Sequence, residues 1–291
     1  MKTFVQLGFA ALISCMSLAV KAQNKISDDN KSLLWEVSGN GISKPSYIMG
    51  TFHMICSKDF EIKPKVTKAL ENSDNLILEI NYTDSKEMAA MQKMLMSDQK
   101  ISDKLSPKEA KELDAILSEY GTTLQNVNSY SPQALYSLIS TKTIPCPQTE
   151  VKMYEIELLK KALQNKKHIG ALEKVDDQSH AIGGAYTLKD AISQLKMGNE
   201  YAILAQKMVE SFKKEDLQTL DRLVKDKRFM NKDQEKIMLT DRNKSWAEKM
   251  PEIMKNQSSF FAVGSAHLLG DNGLINLLRT KGYAVNPVKN Q

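Results

Sequence analysis

Apolar positions follow different rhythms in the outer and the central parts of this chain. From residue 31 to 55, and again from 259 onward, they form short near-continuous runs bounded by glycine, as buried strands do. Ser32–Ser38 reads as one strand and Pro45–Gly50 as a second, with Gly39, Asn40 and Gly41 between them as a hairpin signal. Lys63–Asn72 has helical spacing, and Asn75–Ile80 is an apolar run holding one acid, Glu79. Ser259–Gly264 reads as a strand, 274–280 as a helix and Gly282–Pro287 as a last strand.

The centre repeats at the helical period. Ser106, Pro107 and Glu109 form a capping box with proline in the first turn, and Leu113, Ile116 and Leu117 supply that helix with an apolar stripe. Residues 151–165 and 200–225 read as amphipathic helices, and 233–250 as a helix closed by Pro251. Residues 167–173 interrupt them as a short strand ending near Glu173. The pattern predicts an α/β fold. A central β-sheet is flanked by helices, two related halves each carry a strand followed by Gly-x-x-His, and a helical insertion lies in the middle.

The first residues change the picture of where the protein works. Met1-Lys2, an apolar stretch from Phe4 to Val20, and small or apolar Val20 and Ala22 ahead of Gln23 read as a signal peptide over 1–22. Residues 23–291 form the mature domain, and the location is periplasmic or secreted. Leu12, Ile13, Ser14 and Cys15 also fit a lipoprotein box, which would attach the chain to the outer membrane through Cys15. Cys56 and Cys146 remain after cleavage, and an exported chain with two cysteines is expected to bridge them, the alternative being two buried thiols. The formal charge of +5 falls to +3 without Lys2 and Lys21, and lysines and acids are interspersed. No basic stripe therefore points to nucleic acid.

Candidate chemistry centres on an internal echo. Tyr47–His53 and Phe261–His267 are each an apolar strand, then Gly50 or Gly264, then a histidine three positions on. Open α/β sheets place their sites at such strand ends. Glu79 is the third piece, because a buried carboxylate needs a cation, a metal or a hydrogen-bonding cage. Two imidazoles and a carboxylate suit a divalent transition ion. Against this stand histidines that cap local turns and a Glu79 salt-bridged to a core lysine or arginine. Glu173 is a further buried acid that could be ligand, general base or orienting partner. Arg242 is either solvated or holds a carboxylate of substrate or of Glu173. His168 and His180 are read as peripheral. The expectation is that His53, Glu79 and His267 converge.

These residues also carry a resemblance. Leu34-Trp35, the run from Pro45 to His53, Leu78-Glu79, Leu172-Glu173 with Gln178, Arg242-Asn243, and Val263–Leu268 with Gly270, Gly273, Leu274 and Lys281–Tyr283 resemble the motifs of the TraB/GumN group, which includes the Tiki metalloproteases. Ala171 and Lys174 depart from the glycine and threonine that usually flank the central glutamate. The resemblance implies metal-dependent cleavage of a peptide or protein substrate, with manganese or cobalt as the ion and zinc as the alternative. In it His53, His267 and Glu79 are metal ligands, and Glu79, Glu173 and Arg242 are catalytic. It equally admits a non-proteolytic binding or regulatory protein on the same fold, one that binds haem or peptide and is linked to conjugation or polysaccharide pathways.

Overall fold

The computed structural model describes residues 31–290. The leader, Cys15 and the Gln23 junction lie outside the described residues. Eight strands occur among the described residues: β1 (Leu34–Ser38), β2 (Ser46–Thr51), β3 (Ile55–Cys56), β4 (Asn75–Leu78), β5 (Val151–Lys152), β6 (His168–Ala171), β7 (Ser259–Gly264) and β8 (Ala284–Pro287). Six of them make one mixed sheet in the order β6-β4-β7-β2-β1-β8, and β3 and β5 form a separate two-stranded ribbon. β6, β4, β7 and β2 run parallel, whereas β1 is antiparallel to both β2 and β8. Every residue of β4 and β7 is buried, because helices cover both faces of the sheet centre.

The two Gly-x-x-His strands are immediate parallel neighbours, with Gly50 opposite Val263 and Thr51 opposite Gly264. Both glycines answer to packing. A Cβ on Gly50 would lie 2.6 Å from Leu268 Cδ1 and 3.1 Å from Ser265 Cα, so β2 can approach the turn after β7 only without a side chain there.

The main core joins Trp35, Leu76, Leu78, Trp246, Phe260 and Phe261 to the sheet. A second, smaller apolar cluster (Ile101, Leu113, Leu117, Val127, Leu135, Ile139, Ala191, Leu195) belongs to the central helices. The capping box forms at the helix Pro107–Ser118, with Ser106 and Glu109 bonded reciprocally.

The expected hairpin is found, and two helical expectations are corrected. The Asn-Gly turn forms, with Asn40 at φ +46°, Gly41 at φ +82° and Ile42 N donating to Gly39 O. Strand pairing starts only at Val37–Ser46, so the connection is longer than a two-residue hairpin. The helix expected over 200–225 is two helices, Gly198–Lys213 and Leu217–Val224. Glu215 breaks it at φ +55°, which sends its carboxylate to Lys65 Nζ at 2.8 Å in a buried ion pair. Pro251 does not end its helix, which runs Arg242–Met254. Met250 and Met254 are fully buried on either side of the proline, and their packing holds the helix across the missing N–H.

The Cys56 and Cys146 sulfurs are bonded, with Cα atoms 6.0 Å apart and the two residues 90 positions apart in sequence. The bond ties the end of β3 to the chain leading into β5, and the ribbon pairs Ile55 with Lys152 and Cys56 with Val151. No helix of the described residues is long and apolar enough to cross a membrane.

Candidate functional site

Four parallel strands end on the same edge of the sheet, and each carries a candidate just beyond its last residue. His53 follows β2, Glu79 follows β4, Glu173 follows β6 and His267 follows β7. The spacing from strand end to side chain is short, so the sheet itself sets where these groups lie. Leu172 N and Glu173 N donate to Leu78 O and Glu79 O, which continues the β4–β6 pairing up to the two glutamates.

Glu79 is buried and sits at the centre. Its Oε1 accepts from Gly264 N at 2.8 Å and lies 4.0 Å from His267 Nε2. Its Oε2 accepts from Arg242 Nη2 at 2.8 Å and from Gln178 Nε2 at 3.3 Å. A Cβ placed on Gly264 would lie 3.2 Å from His53 Nε2 and 3.4 Å from Glu79 Oε1. The bare backbone of Gly264 is thus the point around which His53 and Glu79 meet, and any side chain there would fill that space. The structure brings His53, Glu79, Glu173, Arg242 and His267 together. His168 and His180 lie on exposed backbone elsewhere, with His180 Nδ1 against Asp176 O.

Arg242 leaves the helix start after a π-helical turn over Lys236–Asp241, and its Nη1 donates to Met238 O at 3.0 Å. It grips Glu173 with Nη2 at 2.7 Å and Nε at 3.1 Å, in the two-pronged geometry a guanidinium favours. Gln178 Nε2 and Trp246 Nε1, each at 3.1 Å, complete the donors to Glu173. Four donors use the whole acceptor capacity of a carboxylate. These contacts tie Glu173 to Arg242, Gln178 and Trp246. Arg242 also stacks over Trp246, 4.7 Å from the ring centroid.

The tautomer of His267 follows from its neighbours. Asn243 Nδ2 donates to Asn272 O, so Asn243 Oδ1 faces His267 Nδ1 at 2.6 Å and accepts its proton. Nε2 is left with its lone pair toward Glu79 and Arg242, whose Nη1 lies 3.3 Å away. Burial against Trp246 lowers the His267 pKa to about 3, with Arg242 and His53 adding to the effect and Glu79 opposing it. His53 behaves oppositely. Loss of solvent around the ring opposes its charge, but Glu155, 2.9 Å from Nδ1, raises the pKa to about 9. Burial alone would raise Glu79; the imidazoles of His267 and His53, the Arg242 charge and the Gly264 amide hold it at about 2. The charges of His53 and Arg242 and the Gly264 amide are the lasting contributions, because His267 itself stays neutral.

A pH dependence follows. The folded pKa of His267 is depressed, so its contribution is fully present above the unfolded value of 6.5 and is lost as pH falls toward 3. Glu79 starts to contribute its own loss only below about 4.5. Between pH 6.5 and 4.5 the melting temperature is expected to fall with pH, and in His267→Gln that part of the curve should flatten. A wild-type curve that is level across the interval contradicts a buried neutral His267.

Sequence reasoning missed Glu155, which is 2% exposed and holds His53 and Thr51, the latter with Oγ1 at 2.5 Å. Its signal was present: in the helix Tyr154–Gln164 it shares the apolar face with Leu158, Leu159 and Ala162. Asn243, quoted only within a motif, orients His267. Tyr82 also faces this cluster, with burial and the charges of Glu155 and Glu79 pushing its phenol up.

Two imidazole nitrogens and a carboxylate oxygen are a suitable donor set for a divalent ion, and two donors each about 2.1 Å from one ion lie at most about 4.2 Å apart. The His267–Glu79 separation of 4.0 Å fits that limit. Among the described residues no group of three or more His, Cys, Asp or Glu side chains is closed tightly enough to hold a metal as it stands. Arg242 lies against both Glu79 and His267 Nε2. A cavity of about 900 Å³ opens over the site, with Phe52, Ile55, Tyr136, Ile203, Met208 and Met238 in its lining beside His53, Arg242 and His267.

The model of the TraB/PrgY/gumN family matches residues 33–287. The chain is similar to "Metalloprotease TIKI1" of Danio rerio, at 21% identity over 98% of this chain and 71% of that protein. It is 24% identical to "Metalloprotease TIKI homolog" of Nematostella vectensis over 89% of this chain and 67% of that one. It is 21% identical to "Metalloprotease TIKI2" of Xenopus tropicalis over 90% of this chain and 60% of that one. No solved structure matches.

Proposed function

Because the chain belongs to the TraB/PrgY/gumN family, we propose that it is an exported, divalent-metal-dependent peptidase of the Tiki type. The observation that carries this reading is the placement of His53 and Glu79 around Gly264, with His267 Nε2 4.0 Å from Glu79, at the carboxyl edge of the sheet. The metalloprotease names of the relatives support a hydrolase and a peptide or protein substrate. His53 Nε2, His267 Nε2 and Glu79 Oε1 would hold the ion, manganese or cobalt before zinc. Such an ion supplies Lewis acidity for activating water and polarising a carbonyl. A carboxyl held near 2 is a poor proton acceptor and a good anionic ligand, which supports ligation rather than water activation for Glu79. Asn243 keeps the His267 lone pair on the cavity side. Glu173 fixes Arg242, and Arg242 keeps Glu79 ionised. The cavity above the site has the volume to take several substrate side chains. Export rests on the leader at 1–22 and agrees with a disulfide, a bond that persists in oxidising compartments.

A binding or regulatory protein without proteolysis is the second reading, and it draws on one observation: the Arg242 contacts leave the donor set open. Metal analysis of protein purified without chelator, paired with a peptide-turnover assay, separates the two. The proposal expects bound divalent metal, loss of turnover with a chelator and recovery with manganese or cobalt. Metal-free protein with no turnover and a haem absorption band would establish the second reading instead.

A further inference from the structure

Glu155 stands apart from the other buried acids. Glu215 has Lys65 and Lys63, and Glu79 and Glu173 share Arg242. Glu155 is as buried as they are, yet its one ionic partner among the described residues is His53. Its two oxygens are used unequally. Oε1 takes both Thr51 Oγ1 and His53 Nδ1, while Oε2 is buried with no hydrogen-bond partner. A carboxylate placed only for stability would have both oxygens satisfied, as Glu173 has with four donors, because an orphaned buried acceptor costs about 1–3 kcal/mol. That cost is sustained on the apolar face of a helix, where a leucine would pack at no such expense.

The surroundings explain what the cost accomplishes. His53 lies two residues before β3, and Glu155 lies three residues after β5. The two are thus attached to the same end of the ribbon, which pairs Ile55 with Lys152 and is locked beside Cys56 by the bond to Cys146. The ribbon fixes the distance between the two backbones, and Glu155 then fixes the ring. With Nδ1 held, Nε2 points over Gly264 toward Glu79. More than half of the His53 side chain is exposed to the cavity, so nothing on that side restrains the ring.

We propose that Glu155 is a positioning residue: held by the disulfide-locked ribbon, it sets the orientation of His53 and so the direction of Nε2. The inference rests on the proposed site for its consequence in metal binding, but not for the contact itself. The test uses full-length metal-free protein with its histidines labelled with ¹⁵N, the His53 ring signal being identified by its absence in His53→Ala. In the wild type the Nδ1 proton should be shifted downfield and exchange slowly with water. In Glu155→Gln that proton should move upfield and exchange fast, with the other three histidines unchanged and the circular dichroism spectrum the same. Should Glu155→Gln not fold, Glu155→Asp carries the same readout, since it keeps the charge and withdraws it by one methylene. Cobalt titration supplies the second measurement, with affinity expected to fall about 10–100-fold in Glu155→Gln. A His53 ring signal that is the same in wild type and variant overturns the proposal, as does cobalt affinity equal to that of a cobalt-binding wild type. If the wild type binds no cobalt but the ring signal responds as expected, Glu155 keeps its positioning role and the metal reading of the site falls.

Discussion

His53→Ala and His267→Ala are each expected to reduce bound divalent metal and peptide turnover to background while keeping a cooperative unfolding transition. The reason is the small number of donors. With His53, His267 and Glu79 as the protein's ligands, losing one imidazole leaves two, fewer than the three that hold a catalytic ion. The two variants should differ in stability in a way that reports the geometry. His267 is buried and satisfies Asn243 Oδ1, so removing it leaves that acceptor without its donor, at about 1–3 kcal/mol. His53 is more than half exposed, so its loss removes little packing, and Glu155 keeps Thr51 as a donor but loses its ionic partner. Metal content, turnover and denaturant midpoints measured on the same preparations check all three statements. Turnover retained in both variants would remove the proposed mechanism even with the geometry intact.

The largest loss of stability is expected at Arg242. Arg242→Ala leaves Glu79 and Glu173 buried without their shared cation, and breaking a buried ion pair from one side costs about 3–5 kcal/mol. The pH response identifies the cause. Without the guanidinium Glu79 binds a proton more readily, so the gap between variant and wild type should narrow as the pH is lowered from neutral toward 5. Adding Glu173→Gln to Arg242→Ala should restore part of the loss, since the two act through one network. Chemical denaturation of the four proteins gives the coupling directly. A strictly additive double variant would mean that the Arg242–Glu173 contact contributes nothing.

Much of this architecture was legible because it is local. Glycine-ended apolar runs marked β2 and β7, and the acid inside an apolar run marked Glu79. What was not legible depends on partners far along the chain. The helix expected across 200–225 breaks at Glu215 because Lys65, 150 residues away, draws the carboxylate inward. Pro251 is tolerated because methionines on both sides pack into a core built by other segments. Of the alternatives open for Arg242, the structure takes the pairing with Glu173 and adds Glu79, which no spacing in the sequence reveals. Glu155 was hidden by a different effect. An acid beside charged neighbours on a surface helix looks ordinary until the face it occupies is counted.

The place of β7 in the sheet has a consequence for synthesis. It lies between β4 and β2, supplies Gly264 and leads directly into His267. A ribosome releases β2 and β4 long before β7, so a nascent chain holds His53 and Glu79 with an open slot between their strands. Contacts so distant in sequence form late. Any activity of this site therefore stays silent until nearly the whole polypeptide has emerged, and a chain that stalls or is cut before residue 259 carries two of the three donors and no Gly264 to assemble them on.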